Sequence, residues 1–452
     1  MDSSSAKLKM REKLGYASGD LACNLVYQAI SMFLLIFYVD VYGLSPIQTS
    51  ILFVVARIWD AINDPIMGLI VDKTHTRWGK FRPYLLFGAI PFGIIGVLCF
   101  TTPDFNEVGK VIYAYVTYIG LGMIYTVVNV PFGALSSSMT QDSNERTSIA
   151  AMRTFFATTA GAIIAIGLPK MIAALGNGNE ALGYQLSMII LSIFGIILLY
   201  VSFFSAKERY SNTDPNAPKI TIKTTAQMIK SNRPLLIICL LFVVLFGNMT
   251  IAGSVGTLYF KYNLQRYDLF GLNAALGMIL NMLIIPFVPM LAKRFEKKKL
   301  LMIALVINII RPLSMIGDNI PVIFIGTVVG SIGAGILAGL IWGLVPDTIE
   351  YGEWKTGVRA EGAVYAATGF FFKLGMALGG LLPGFVMDWT GYVANATQTP
   401  LALFGIKLLI MGVPLILSIA MLLIMRFYEL DTKTYSEIVE ELNQRKKLQN
   451  VS

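Results

Sequence analysis

Apolar runs of about 20 residues, the length a helix needs to cross a hydrocarbon core of about 30 Å, recur from residue 14 to residue 427. Such runs must satisfy their own backbone hydrogen bonds inside the bilayer, which a helix does within a single segment. Twelve are counted: 14–40, 46–71, 83–102, 110–137, 149–173, 183–205, 234–262, 268–292, 300–317, 320–346, 361–387 and 401–427. With 55% hydrophobic and 14% charged residues, little is left for a soluble domain. The expected fold is an all-α, multi-pass membrane protein.

The net charge of +9 is no patch for nucleic acid, because the bases alternate along the chain. One set of loops holds Lys73, Arg77, Lys80 and Arg82, then Arg146, a basic run through 207–233, Lys293 to Lys299, Lys355 and Arg359. The opposite loops hold Lys110, Lys170, Lys261 and Arg266. By the positive-inside rule both termini and the 206–233 loop face the cytoplasm. The polar start MDSSSAKLKMREK is followed by no small-residue cleavage site, which reads as an uncleaved first helix. Cys23, Cys99 and Cys239 all fall within spans and read as small packing residues.

The polar segment 206–233 divides the chain into six spans (1–205) and six spans (234–427), followed by a cytoplasmic tail, 428–452, with an amphipathic stretch SEIVEELNQRKK. Basic turns at 68–83 and 289–300 occupy matching places in the two halves, as in a transporter built from repeats or as plain topology signals. The glycines of 330–343 and 374–384 permit close helix approach or bending.

Charges inside the spans narrow the function. Asp60 and Asp64, in WDAINDPIMG, cost about 2.5–3.5 kcal/mol each at mid-membrane, on the order of 5–7 kcal/mol together, unless a base, a proton or a metal cation compensates them. At 100° per residue Arg57, Asp60 and Asp64 fall within about 60°, with Asn63 at the flank. Pro65 frees the carbonyl of Ala61. Such an oxygen set suits sodium or lithium, or a shared proton; the plainer alternative is interhelical salt bridging. Asp20 lies in the first span, Asn129 in the fourth, Arg153 in the fifth, Arg311 in the ninth and Lys373 in the eleventh. If Asp20, Asp60, Asp64, Arg57 and Lys373 share a cavity, one negative charge stays uncompensated and one monovalent cation balances it. Arg153 could donate to sugar hydroxyls, whereas Arg311 lies near a helix end and could snorkel. Tyr27, Tyr125, Trp342 and Tyr365 are candidates to stack on a sugar ring, or plain packing residues.

The strings DAINDP, RWGKFRP, YTVVNVPFG and DTIEYGEWKTGVRAEG (347–362) resemble the glycoside-pentoside-hexuronide:cation symporter family, whose type member is the bacterial melibiose permease. The resemblance covers all twelve spans. It implies a major facilitator-type fold of two six-helix bundles, alternating access, and uptake of a sugar or glycoside driven by Na⁺, Li⁺ or H⁺. It assigns Asp60, Asn63, Asp64 and Thr126 to the cation, Asp20, Tyr27 and Arg153 to the sugar, and Lys373 to a place beside the cation site; by their positions in the spans Asn129 and Trp342 join the sugar candidates, and Arg57 joins Lys373 as a coupling candidate. Asn129 and Gly133 stand where melibiose permease has an aspartate and a tryptophan, Gly19 replaces a lysine, and Ala338 stands where a tryptophan is expected. The lost charge and stacking surface argue against a galactoside, and the strings VNVPFGAL, TGVRAEG and GYVANATQTP (391–400) resemble the hexuronide and pentoside carriers, which implies a glucuronide- or pentoside-type substrate. Asp142, Arg146, Glu350, Glu353, Arg359 and Glu361 are candidates for a cytoplasmic gate, alternatively solvated loop charges, each exposed pair being worth about 0–1 kcal/mol.

Uncoupled uniport on the same architecture is the near alternative. An enzyme would have to work with carboxylates alone, since the single histidine, His75, lies in a basic loop, and a 25-residue tail is short for a sensor's output domain. No cofactor is expected beyond the co-transported ion. The expected partners are the sugar, the cation and membrane lipid, with a monomer as the working unit in a bacterial inner membrane.

Overall fold

The computed structural model describes residues 8–140, 143–209, 231–357 and 361–449, and among them are sixteen α-helices. The first half holds α1 (Met10–Ile36), α2 (Pro46–Asp72), α3 (Arg82–Leu98), α4 (Glu107–Met139), α5 (Ser143–Gly176) and α6 (Glu180–Ser205). The second half holds α7 (Arg233–Leu258), α8 (Phe270–Ile284), α9 (Val288–Arg294), α10 (Lys297–Leu313), α11 (Ile320–Ile341), α12 (Leu344–Thr356), α13 (Glu361–Trp389), α14 (Pro400–Lys407) and α15 (Val413–Arg426). The tail forms α16 (Thr432–Gln449). Short π turns follow α1, α7 and α14 at Phe37–Val41, Tyr259–Asn263 and Leu408–Gly412.

Nine stretches among the described residues are long and apolar enough to cross a membrane. Three of the twelve counted spans stand outside that set for physical reasons. The 27-residue α2 carries Arg57, Asp60, Asp64 and Asp72, while α3 and α10 are 17 residues each. The figure of twelve crossings therefore rests on the sequence. Helix also reaches further into the basic segments than the runs indicated: α2 continues to Asp72, α9 fills 289–294, and the acidic string from Asp347 is helical up to Gly357, which takes the left-handed φ of +73° that closes α12.

Packing divides the chain into two compact units: Met1–Pro215 with Gly253–Ile279 and Pro383–Phe404, and Asn216–Ala252 with Leu280–Leu382 and Gly405–Ser452. These are not the chain-order halves 1–205 and 234–427. The first unit takes in segments of α7, α8, α13 and α14 that lie away from the basic loops.

In the first unit α1 is the most buried span. It can be, because small residues line its contacts: a Cβ on Gly15 would collide with the Ser205 side chain, and one on Gly19 would lie 2.6 Å from the Phe132 ring. Ser202 Oγ donates to the Tyr16 carbonyl at 3.1 Å. The turns poor in basic residues end in side-chain caps, with Ser45, Asn106 and Asn179 accepting from the backbone of α2, α4 and α6. On the basic side the start of α3 is capped from afar. Glu208 accepts from the backbone N–H groups of Lys80, Phe81 and Arg82 at 2.8, 2.8 and 3.0 Å, and Gly79, at φ +108°, has no room for a Cβ beside that carboxylate.

The second unit has a core running from Leu235 to Leu442. Within it Gly375 and Gly379 on α13 pack directly on Val243 and Gly247 of α7, a small-xxx-small contact; these glycines serve packing. Replacing Gly379 by Val is expected to overpack this contact by about 1–3 kcal/mol, read as a lower melting temperature of the detergent-solubilised protein. The tail helix docks here too. Asp431 caps it at Thr434 (2.7 Å), and Ile438 and Leu442 bury one apolar stripe. Tyr435 donates to Glu350 at 2.6 Å, Trp354 Nε1 to Glu441 at 2.7 Å, and Arg445 to the Trp354 carbonyl at 2.9 Å. Hydrogen bonds from Trp354 and Arg445 hold the Glu441 carboxyl below the usual range.

Candidate functional site

Two clusters of buried charge in the first unit draw on α1, α2 and α5. Asp20 on α1 is 7% exposed and paired with Arg153 on α5, Nε to Oδ2 and Nη2 to Oδ1, the latter at 3.3 Å. Aromatic rings hold the guanidinium in place: it lies 4.8 Å from the Phe132 centroid and 5.8 Å from that of Tyr16. Those rings stack on each other at 4.7 Å, and Tyr16 donates to the Phe132 carbonyl at 2.6 Å. Gly19 gives Phe132 the space for this, as any side chain there would strike the ring. The departure from the family lysine is thus filled by an aromatic residue.

The second cluster lies between α2 and α4. The stripe predicted on α2 has its charges in register with small and hydroxyl positions on α4. An ideal Cβ on Gly122 would sit 2.5 Å from Asp60 Oδ1, and one turn on Thr126 Oγ1 donates to Asp64 Oδ1 at 3.0 Å. Both pairs repeat at i, i+4, the spacing at which residues share a helix face. Arg57 Nη1 donates to Asp60 Oδ2 at 3.2 Å. Asn63 Nδ2 is buried and lacks a hydrogen-bond partner among the described residues. Two carboxylates and a buried hydroxyl gather oxygen donors, which fits a hard monovalent cation as cargo. Tyr27 on α1 stacks on Tyr125 of α4 at 5.8 Å. Asn129, on α4 between Thr126 and Phe132, is half-buried.

Trp342 and Lys373 belong to the second unit. Trp342 closes α11 and packs on Phe242 at 5.0 Å and Phe246 at 6.2 Å; it is 48% exposed. Lys373 is half-buried on α13.

Of the gate candidates, Asp142 and Arg359 lie outside the described residues, and nothing is described of the side chains of Arg146 and Glu361. Glu350 is held by Tyr435 of the tail, and Glu353 is 8% exposed. The neighbouring Asp347 pairs with Lys297 at 2.8 Å, and Glu145 with Lys13 at 2.8 Å. Each described pair of this group joins residues of one unit.

Sequence reasoning passed over Tyr16, Phe132 and Gly122. Aromatic and small residues in an apolar run carry no signal on their own. Gly122 could have been found from its spacing, since it precedes Thr126 by the same four residues that separate Asp60 from Asp64.

An all-helical membrane protein of this architecture, with paired charges on inward helix faces, is a transporter of the major facilitator type and not an enzyme. Residues 15–432 match the family model described as MFS/sugar transport protein, so the chain belongs to that family, the glycoside-pentoside-hexuronide:cation symporters. Its relatives include "Uncharacterized symporter YnaJ" of Bacillus subtilis (strain 168), 46% identical over 98% of this chain and 96% of that protein. The isoprimeverose transporter of Lactiplantibacillus pentosus is 35% identical over 97% and 92%. The glucuronide carrier protein homolog of Escherichia coli (strain K12) is 34% identical over 98% and 97%. Among solved structures the nucleoside transporter NupG matches with a TM-score of 0.64 at 13% identity, covering 93% of this chain and all of NupG, a likeness of fold.

Proposed function

We propose that the protein takes up a sugar or glycoside, of glucuronide or pentoside type, by symport with a monovalent cation through alternating access. The observation that carries this reading is the register of α2 on α4, which sets Asp60 against Gly122 and Asp64 against Thr126 in the same unit as the Asp20–Arg153 pair. In this reading Na⁺, Li⁺ or H⁺ binds among Asp60, Asn63, Asp64 and Thr126. A cation there lowers the cost of two carboxylates in a low-dielectric site, and Arg57, already on Asp60, together with Lys373 tunes the charge that remains. Asp20 accepts sugar hydroxyls while Arg153 donates, to hydroxyls or to a substrate carboxylate. Tyr27, Asn129 and Trp342 complete recognition. Asp142, Arg146, Glu350, Glu353, Arg359 and Glu361 act at the cytoplasmic gate. The chain works as a monomer in lipid, in a bacterial inner membrane, with both termini cytoplasmic and the basic loops inside, and needs no cofactor beyond the transported ion.

Two relatives named for isoprimeverose and for a glucuronide support this substrate class. With Asn129 in place of a carboxylate, α4 brings no further negative charge at this position against an anionic sugar. Asn129→Asp is expected to weaken glucuronide transport relative to a neutral pentoside by about tenfold, from one added like charge at the site; competition uptake with both sugars reads it. The reading as a whole is tested in proteoliposomes, with radiolabelled pentosides and glucuronides and imposed gradients of sodium, lithium or protons. Accumulation above equilibrium is expected with one of the three gradients. Equilibration without accumulation under all three would leave a uniporter.

A further inference from the structure

Asp40 sits where α1 gives way to a π turn, and its side chain is fully buried. Its carboxylate is saturated by donors from distant sequence: Lys261 Nζ and Tyr262 OH on Oδ2, each at 2.6 Å, and Tyr392 OH on Oδ1 at 2.6 Å. Asn395, held at a left-handed φ of +55°, donates from Nδ2 to the Asp40 carbonyl at 2.5 Å and accepts from Lys261 at 3.1 Å. Lys261 and Tyr262 lie in a π turn of their own. Two π turns, one from each half of the sequence, thus meet at one ion pair, a local distortion often kept at functional positions. Close backbone packing surrounds it in the same unit. Ser50 Oγ accepts from the Gly384 N–H at 2.9 Å, and Gly384 and Gly271 each leave no room for a Cβ against Pro46 and Ala165.

We propose that Asp40 is a gating residue: its contacts with Lys261, Tyr262, Tyr392 and Asn395 latch the end of the transporter away from the basic loops and must part in each cycle. The inference rests on the alternating-access reading above. That cycle requires the first-half helices to separate from the second-half ends at this face. Four of the five residues give polar side-chain groups to a single carboxylate or its backbone, so the set engages and releases together. Buried, charge-assisted bonds suit this work, because they are strong when closed and become individually replaceable by water once open.

The test is accessibility, which needs neither sugar nor ion. In a background with Cys23, Cys99 and Cys239 replaced by Ala, Ser31→Cys places a thiol on α1 below the latch, where Ser31 faces α7 at Gly253. A membrane-impermeant maleimide is added to each face of oriented vesicles in turn. Asp40→Asn and Lys261→Gln are each expected to raise labelling from the face opposite the basic loops about tenfold, the equivalent of one charge-assisted hydrogen bond. The double variant should add little more, since both changes open one latch. Tyr392→Phe, which deletes a single hydroxyl and leaves the packing, serves if the charge variants do not insert, with a smaller rise of the same sign expected. Unchanged labelling in a variant that inserts and elutes as a folded monodisperse protein would overturn the assignment. A latch that responds while uptake shows no coupling would leave this inference standing and remove the symport reading.

Discussion

Asp64→Cys abolishes uphill sugar accumulation under every cation gradient while equilibrium sugar binding survives: that is the largest effect expected of a single change. Asp64 sits on the face where α2 meets α4 and accepts from Thr126 at 3.0 Å. A thiol there keeps roughly the space but gives the cation no anionic oxygen, and hard cations bind thiols poorly. The neighbouring Asp60 already receives Arg57 at 3.2 Å, so it cannot replace the missing charge without losing that partner. The Asp20–Arg153 pair lies on α1 and α5, on other helices, and should still hold sugar. Two measurements separate these roles. Sodium or lithium added to the detergent-solubilised protein should raise its melting temperature, by about 2.7 kcal/mol of stabilisation at a hundredfold excess over the dissociation constant, and the variant should lose that response. Sugar binding by calorimetry should fall only to the affinity of the cation-free protein. Uphill uptake unchanged in the variant would move the cation site elsewhere.

How much of this was legible in the sequence follows from where charge is unusual. Asp20, Asp60, Asp64, Arg153 and Lys373 stand out because hydrocarbon makes each expensive, and the i, i+4 spacing of the two α2 carboxylates puts them on a common face. Asp40 carries the same charge but lies at the end of a span, where a carboxylate is ordinary, and its donors are 221 to 355 residues away. No local pattern announces such a meeting. Glu208 illustrates the same limit, as an acidic residue in a polar segment that turns out to cap α3 with three backbone bonds. Among the gate candidates of the string 347–362, Glu350 accepts from Tyr435 of the tail, 85 residues on, a partner no local pattern indicates. An amphipathic stripe in the tail could be seen, whereas the surface it covers could not. The grouping of the α7, α8, α13 and α14 ends with the first half is a property of packing that chain order does not carry.

The second large effect belongs to Asp20. Asp20→Ala is expected to remove measurable sugar binding even at saturating cation, a loss of about 10- to 100-fold or more for two charge-assisted hydrogen bonds taken from the substrate. The change has a second consequence inside the protein. Arg153 loses the carboxylate it now grips through Nε and Nη2, and a half-buried guanidinium against the stacked rings of Phe132 and Tyr16 keeps its charge without a counter-ion, a destabilising state. Asp20→Asn separates the two consequences, because it retains shape and one acceptor while removing charge. If Asp20 works by accepting sugar hydroxyls, the Asn variant recovers part of the affinity for neutral pentosides. If its main task is to hold Arg153, both variants lose neutral and anionic sugars alike. The reverse change, Arg153→Lys, keeps the positive charge but loses the fork geometry and ring stacking of a guanidinium, and should affect a glucuronide more than a neutral pentoside. Binding isotherms for one sugar of each kind across the three variants decide between them, and wild-type affinity in Asp20→Ala would take Asp20 out of the sugar site altogether.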